Sequence, residues 1–207
     1  SKRSDFEQAE QMYKKALAFE KALALKENMA GTYINLGNMY QTRGDLTLAE
    51  QMDREALAIW EALESKEGMA VAYSSLGNKY ATRGDLEKAE QMHQEALATY
   101  EALGSKEGEA LIYSNLGIIY QKRGGFDQAE QMYGKALAFH EALGYKEGVA
   151  GDYANIGSVY QERGDLDQAE ALWKKSLGLF QTMQSPNAKA IQQWLDKLAQ
   201  QRTTSTQ

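Results

Sequence analysis

Residues 65–104 read SKEGMAVAYSSLGNKYATRGDLEKAEQMHQEALATYEALG, and close variants of this 40-residue stretch recur along the chain without slippage. The same residue types return in phase, as the glycines show: Gly37, Gly77, Gly117 and Gly157. A fixed period of this length is typical of an array of small structural units that pack on their neighbours. The repeat therefore decides the fold before any single motif does.

Each repeat predicts two helices. The first half predicts an amphipathic helix over 65–83, because apolar residues such as Ala70 and Tyr73 recur three or four positions apart. Ser65 is its expected N-cap, since a serine oxygen can accept from a free backbone N–H. The second half predicts another amphipathic helix over 85–103. Neither helix can bury its apolar face alone, so stacked neighbours must complete the core.

An Arg-Gly-Asp string lies between the two predicted helices, in TRGDL at 42–46 and 82–86 and in ERGDL at 162–166. The arginine suits the last turn of one helix, the glycine a left-handed turn, and the aspartate the N-cap of the next helix. In KRGGF at 122–126, Gly125 replaces the aspartate. A helix cap tolerates that change and an integrin-binding tripeptide does not. We therefore interpret the string as a helix–turn–helix corner.

The phase of the repeat also divides the chain. The predicted boundaries are 1–24 for the second helix of an incomplete first repeat, 25–64, 65–104, 105–144 and 145–184 for complete helix pairs, 185–201 for a capping helix and 202–207 for a disordered tail. Ser185 as N-cap and Pro186 at the first helical position mark the start of the capping helix.

Composition and charge exclude several classes of function. The net charge is −6 and the signs alternate along the chain, so an electrostatic grip on nucleic acid or on an anionic membrane is not expected. The chain has no cysteine, which excludes a disulfide framework and a Cys-ligated metal and fits a reducing compartment. It has no recognisable signal peptide and no stretch as apolar as a membrane span. We expect a cytoplasmic protein without cofactor or metal.

No catalytic constellation is visible, and we predict that the chain is not an enzyme. It lacks HExxH, a Walker-type loop and GxSxG. Of its two histidines, His93 occupies a position that is aromatic in other repeats, so we interpret it as a core residue; His140 lies on a different second helix. The glutamates recur in phase, and we interpret them as a solvated helix face rather than as acid/base pairs.

The repeat resembles the tetratricopeptide repeat family, whose pattern has an aromatic, Leu-Gly and Tyr in the first helix and Ala, an aromatic and Ala in the second. In this sequence the matching residues are Tyr73, Leu76, Gly77, Tyr80, Ala89, His93 and Ala96. Asp53 departs from the pattern at the second-helix aromatic, which predicts a more open or more polar site there. The 40-residue period and the NLGN string at 35–38 resemble a subgroup typified by the spindle adaptor Pins/LGN and found in many bacterial proteins.

The resemblance implies an all-α fold, a right-handed superhelical α-solenoid of stacked antiparallel helix pairs with a C-terminal capping helix. It also implies a protein-interaction scaffold that binds a peptide or helix of a partner protein in a concave groove lined by first helices. The groove residues carried over from the family are Ile34, Asn35, Asn38, Gln41, Val71, Ser74, Asn78, Leu111, Ser114, Asn115, Ile118, Gln121, Asn155, Ser158 and Gln161. Small neighbours complete the wall, namely Gly31, Ser75, Ala81, Gly151 and Ala154.

Asparagine is the informative residue type of this set. One Asn side chain can pair with both the N–H and the C=O of an extended peptide, and apolar neighbours such as Leu111 and Ile118 can add contacts. The alternative is that these asparagines only cap or bond neighbouring loops. Family members that clamp a C-terminal carboxylate use Lys and Arg in these positions. Uncharged residues stand there in this chain, so we do not expect a carboxylate clamp.

Two other functions stay open at this level. The first is self-assembly by end-to-end stacking through the N-terminal helix, whose apolar face comprises Phe6, Met12, Tyr13 and Leu17. The second is a regulatory or adaptor segment of a larger multidomain protein.

Overall fold

The computed structural model describes residues 2–204, with side chains described for residues 5–202. Within that range the chain is helical, without strands. Its helices are α1 (Lys2–Ala22), α2 (Lys26–Arg43), α3 (Leu46–Ala62), α4 (Lys66–Arg83), α5 (Leu86–Leu103), α6 (Lys106–Lys122), α7 (Phe126–Ala142), α8 (Lys146–Arg163), α9 (Leu166–Thr182) and α10 (Asn187–Thr204).

The helices form two compact units, α1–α5 and α6–α10, which divide after Ser105. In each unit every helix packs on the next helix along the chain, and the tightest pairs are α2 with α3, α4 with α5, α6 with α7 and α8 with α9. The predicted all-α fold of stacked antiparallel helix pairs is confirmed. Of the helices between residues 2 and 204, none is both long and apolar enough to span a membrane.

The Arg-Gly-Asp strings form the corner in the three pairs that contain them, as predicted. Gly84 ends α4 in the left-handed conformation with φ 90°, and Gly44 and Gly164 repeat this conformation with φ 90° and 88°. Asp85 is the N-cap of α5, and its side chain accepts a hydrogen bond from the backbone three residues on. Asp45 does the same for α3. These hydrogen bonds satisfy backbone donors that a helix start leaves free.

The turn between successive pairs also needs a left-handed residue. Gly104 and Gly144 take that conformation with φ 67° and 66°. At the same position of the other repeats, Ala24, Glu64 and Gln184 adopt φ 55°, 54° and 53°. A left-handed residue with a Cβ costs roughly 1–2 kcal/mol. The helices packed on either side hold these residues in a conformation that their own sequence does not favour.

The two helices of a pair come closest where a glycine of the first helix faces a large side chain of the second. A Cβ added to Gly77 would lie 2.7 Å from the His93 ring, and one added to Gly157 would lie 2.6 Å from the Trp173 ring. No Cβ fits at such distances, so only glycine permits this approach. Trp173 is 2 % exposed and donates its indole N–H to the Ala154 carbonyl at 3.0 Å.

Successive pairs are joined by the glutamates that recur in phase. Glu50 on α3 accepts from the Tyr80 hydroxyl at 2.8 Å and from Arg83 Nη1 at 2.7 Å, both on α4. In the second unit, Glu130 on α7 accepts from the Tyr160 hydroxyl on α8 at 2.6 Å. The interpretation of the glutamates as a solvated face is wrong for Glu50 and Glu130, because the next pair supplies a tyrosine hydroxyl and a guanidinium to each of these two carboxylates. The arginine of the corner therefore also ties one pair to the next.

The last helix closes the core of the second unit. Ile191 and Leu198 of α10 are 3 % and 2 % exposed and belong to the same buried cluster as Phe180 of α9. Ser185 Oγ accepts from the backbone N–H of Asn187 at 3.3 Å, the capping bond expected from the sequence.

The end of α10 differs from the predicted boundary at 201. The helix continues to Thr204, so the described part of the predicted tail is helical. Arg202 holds this last turn, since its Nη1 lies 2.8 Å from Glu170 Oε2 on α9. Residues 205–207, the rest of the predicted tail, lie outside the described residues.

Replacing Gly157 with alanine should destabilise the protein by about 1–3 kcal/mol, because the new Cβ overlaps the Trp173 ring in a packed core. Gly151 is a matched control in the same helix, since nothing lies within 4 Å of a Cβ placed there. Gly151→Ala should be neutral or stabilise by up to about 1 kcal/mol through backbone entropy. Chemical denaturation followed by circular dichroism measures both changes. Equal effects of the two substitutions would contradict the close approach.

Candidate functional site

In the first unit, the predicted groove residues divide into exposed and buried ones. On α2 and α4 the exposed members are Asn35, Asn38, Val71 and Asn78, and Gln41 is half-buried. Ile34 and Ser74 are only 9 % and 6 % exposed. Ile34 belongs to the buried cluster of Trp60, so it packs inside the repeat instead of facing a partner. The assignment of Ile34 and Ser74 to the groove surface is corrected accordingly.

In the second unit, the predicted groove residues keep some exposed surface, except Ala154 of the wall, which is 5 % exposed. On α6 and α8 the exposed members are Leu111, Ile118 and Gln161, and the half-buried members are Ser114, Asn115, Gln121, Asn155 and Ser158. Leu111 and Ile118 are 49 % and 39 % exposed, which is unusual for large apolar side chains. Within residues 5–202, Asn115 Nδ2 is buried without a hydrogen-bond partner.

Several of the groove amides bind neighbouring first helices instead of remaining free. Gln41 Nε2 donates to Thr82 Oγ1 at 2.8 Å, which links α2 to α4. In the second unit, Gln121 Nε2 donates to Glu162 Oε1 at 2.7 Å and so links α6 to α8. Asn38 Oδ1 accepts from Lys79 Nζ at 2.6 Å. These three side chains therefore bond to neighbouring helices, and not to loops as the alternative for the asparagines held.

Asn35 and Asn78 differ from those amides. Both are exposed on first helices, and neither side chain makes a hydrogen bond within residues 5–202. Asparagine has weak helix propensity, so the helix itself gains nothing from these side chains. Their amide groups are available to an external peptide.

Asp53, the departure from the family pattern, forms a buried ion pair. It is fully buried, and its Oδ2 lies 3.1 Å from Nζ of Lys79, which is 2 % exposed. Lys79 also donates to Ser75 Oγ at 2.8 Å. Burial raises the pKa of the Asp53 carboxyl and lowers that of the Lys79 ammonium, while the pairing opposes both shifts. The site is polar, as one predicted alternative held, but it is not open, because the long lysine side chain fills it.

His93 is a core residue, as the sequence indicated. It is 1 % exposed and lies against Gly77. Neither ring nitrogen has a hydrogen-bond partner within the described residues, so burial alone lowers the pKa of His93 to about 4.

A second buried polar pair joins α7 to α8. His140 Nδ1 lies 2.6 Å from Asp152 Oδ2, and the Ser114 hydroxyl donates to Asp152 Oδ1 at 3.2 Å. Asp152 is 2 % exposed, and this burial raises the pKa of its carboxyl while His140 opposes the shift. A cavity of about 470 Å³ opens beside the pair, and both His140 and Ser114 line it.

The His140–Asp152 pair was not predicted from the sequence. In the frame of the repeat, His140 aligns with Trp60 and Asp152 aligns with Ala72. In the first unit those two residues share one apolar cluster. The sequence could have indicated this pair, because two positions that are apolar in another repeat are both polar here. Asp53 and Lys79 depart from the repeat pattern together in the same way.

The predicted self-association face of α1 is largely covered by the chain's own first repeat. Tyr13 and Leu17 pack against the buried cluster formed by α2 and α3, and Phe6 is half-buried. Met12 alone of the four predicted residues is exposed, at 71 %. Tyr13 and Leu17 are therefore half-buried like Phe6, because the first repeat covers part of their surface.

Comparison with known proteins gives family and fold. The sequence model of the tetratricopeptide repeat family matches residues 28–102 and 108–182, which together make up more than half of the chain. Among solved structures the chain is similar to BtubC (BKLC) from P. vanneervenii, with 27 % identity, a TM-score of 0.77 and coverage of 88 % of this chain and 76 % of that one. No curated protein sequence matches it.

Two further structures share the fold at lower identity. MamA is 24 % identical with a TM-score of 0.60, over 88 % of this chain and 92 % of that one. Aspartyl phosphate phosphatase F from Bacillus subtilis is 16 % identical with a TM-score of 0.83, over 93 % of this chain and 52 % of that one. The chain thus spans about half the length of that phosphatase.

Replacing Lys79 with valine should destabilise the protein by about 3–5 kcal/mol, because Asp53 is left buried and unpaired. The double variant Asp53→Tyr, Lys79→Val copies Tyr133 and Val159, which share one buried cluster in the second unit. It should recover most of the lost stability. The free energy of unfolding from urea titration measures both variants, and a double variant no more stable than Lys79→Val would contradict the pairing.

The buried His93 should make stability depend on pH. Its pKa falls from 6.5 to about 4 on folding, so the unfolded chain takes up a proton first as the pH drops. The corresponding stability is present above pH 6.5 and is lost between pH 6.5 and 4, on the order of 3 kcal/mol in total. His93→Tyr, with the residue that stands at this position in the next repeat, should remove this part of the loss. Unfolding free energies of both proteins at several values between pH 7 and 4 measure the difference, and parallel curves would contradict it.

Proposed function

This chain belongs to the tetratricopeptide repeat family, and we propose on that premise that it is a scaffold binding an extended peptide segment of a partner protein along its first helices. The fold of this family mediates protein–protein interaction and is not itself catalytic. The proposal for this chain rests on the chemistry of its own first-helix faces.

The observation that carries the proposal is the pair of free amides at Asn35 and Asn78. Each presents one acceptor and two donors to solvent from a position where the helix draws no benefit from asparagine. An extended peptide offers a complementary N–H and C=O at each residue.

Apolar surface beside the amides supports a peptide with apolar side chains. Val71 is 41 % exposed on the same helix as Asn78, and Leu111 and Ile118 are 49 % and 39 % exposed on the helix of Asn115. Burying such side chains contributes about 25 cal/mol per Å² of apolar surface. Within the first unit, backbone pairing through Asn35 and Asn78 and burial against Val71 describe an extended, uncharged segment, and Leu111 and Ile118 offer the same apolar contact in the second unit.

The groove chemistry does not suit a C-terminal carboxylate. Lys79 is the cation nearest to the groove amide of Asn38, but its ammonium is buried and committed to Asp53 and Ser75. A peptide carboxylate would then meet amides and apolar groups without a charged partner. The partner segment is therefore proposed to be internal to its protein.

The test begins with a 12-residue peptide selected from a random displayed library against the intact chain. Asn35→Ala combined with Asn78→Ala should weaken its binding about tenfold, since each net hydrogen bond contributes about 0.5–1.5 kcal/mol. Isothermal titration calorimetry measures the affinity, and circular dichroism checks that helicity is retained. Gln91→Ala, at an exposed position on the second helix α5, is the matched control and should leave binding unchanged.

Two outcomes would contradict the proposal. One is a library that yields no binder. The other is a selected peptide whose affinity is the same for the asparagine double variant and for the control.

A further inference from the structure

The cavity beside His140 has the composition of a ligand pocket. It measures about 470 Å³ and lies between α6, which supplies Glu107, Leu111 and Ser114, and the end of α7 with the following turn, which supplies His140, Leu143 and Tyr145. Leu111, Leu143 and Tyr145 are 49 %, 39 % and 51 % exposed. Pockets of roughly 300–1,000 Å³ with apolar walls and a few placed polar groups are the usual form of small-ligand sites.

The polar group of this cavity is an imidazole with a fixed orientation. Its Nδ1 faces the buried carboxylate of Asp152 at 2.6 Å, and Asp152 accepts a further hydrogen bond from Ser114. A carboxylate that accepts from both sides assigns the ring proton to Nδ1. In the neutral ring Nε2 is then a hydrogen-bond acceptor.

Gly148 and Tyr145 pack against other parts of the His140 ring. Cγ and Cδ2 of His140 lie against Gly148, where an added Cβ would come within 2.6 and 2.7 Å of them. Tyr145 packs edge-on against the ring, with centroids 5.4 Å apart and planes at 68°. Nδ1 pairs with Asp152, and the His140 side chain is 12 % exposed and lines the cavity, so Nε2 is the ring nitrogen that remains for a ligand there.

We propose that this cavity is a specificity pocket for one aromatic side chain of the partner segment, a tyrosine or tryptophan whose O–H or N–H donates to His140 Nε2. The inference rests on the proposed function, because the ring belongs to the bound peptide. The apolar walls contact the face of the partner's aromatic ring. The acceptor at His140 Nε2 favours a ring that carries a hydrogen-bond donor. The carboxylates of Asp152 and Glu107 disfavour an anionic occupant.

The fold does not need a polar pair at this position. In the first unit the aligned residues Trp60 and Ala72 belong to one buried apolar cluster, and Trp60 lies against Gly68 as His140 lies against Gly148. A smaller imidazole in place of an indole leaves room beside it, and the buried carboxylate orients that imidazole. The two substitutions together thus provide both a space and a directed acceptor.

The test uses small aromatic probes with the full chain at pH 8. The probes are p-cresol, which copies the tyrosine side chain, 4-methylanisole, in which methylation removes the donor, and p-toluate, which is anionic. Backbone amide resonances followed by NMR during titration report the site and the affinity. We expect p-cresol to shift the resonances of Leu111, Leu143 and Tyr145, with a Kd at least fivefold lower than that of 4-methylanisole and p-toluate.

A double variant tests the role of the pair. His140→Trp with Asp152→Ala copies Trp60 and Ala72, so it should keep the helicity of the protein while losing p-cresol binding. His93→Tyr, which removes the other imidazole, is the matched control and should bind p-cresol as the wild type does. If the double variant does not fold, NMR of the imidazole nitrogens in the wild type tests the role of His140 instead. The addition of p-cresol should shift the Nε2 resonance of His140 and leave the resonances of His93 unchanged.

The inference is overturned if p-cresol and 4-methylanisole bind equally, if p-toluate binds more tightly, or if the shifts lie away from the cavity. Its failure is distinct from that of the proposed function. The probes need no peptide, and the asparagine variants do not touch the cavity. If p-cresol binds in preference to 4-methylanisole but the library yields no peptide, the cavity is still a donor-selective aromatic pocket. Only its assignment to a partner peptide is then wrong.

Discussion

The close approach of two helices at a glycine is the constraint on which each repeat depends. At Gly77 and Gly157 the first helix lies against a large ring of the second, at a distance that no Cβ would permit. That contact sets the separation of the pair, and the remaining apolar side chains can fill the core only at that separation. The Gly-Asp corner positions the second helix for this contact, because it ends the first helix and caps the second within a few residues.

Contacts between pairs use different chemistry from contacts within them. Inside a pair the surfaces are apolar and depend on shape. Between pairs, a glutamate such as Glu50 receives a tyrosine hydroxyl and a guanidinium from the next first helix. Such hydrogen bonds to a charged group are directional, so they define how one pair sits on the next as well as adding stability. The same carboxylate position, Glu170, holds the final helix through Arg202.

The features with functional content are those where the repeat departs from its own pattern. Asp53 with Lys79, and His140 with Asp152, each replace two apolar residues that face one another in another repeat. The first pair is fully enclosed and serves the core. The second borders a cavity of about 470 Å³ that His140 lines. A buried polar pair can reach a ligand only where the surrounding packing leaves a cavity beside it.

The sequence alone determined the repeat, the two helices of each unit, the corners at residues such as Gly84 and Asp85, and the family, because these follow from local periodicity and from backbone requirements at single positions. It also predicted that Asn35 and Asn78 lie on the surface, and both are exposed. Only the tertiary structure decided that Ile34 and Ser74 are buried, that Glu50 binds the next pair, and that His140 meets Asp152 beside a cavity. Those facts depend on distances between helices, and a helical period states which face a residue occupies but not what lies opposite that face.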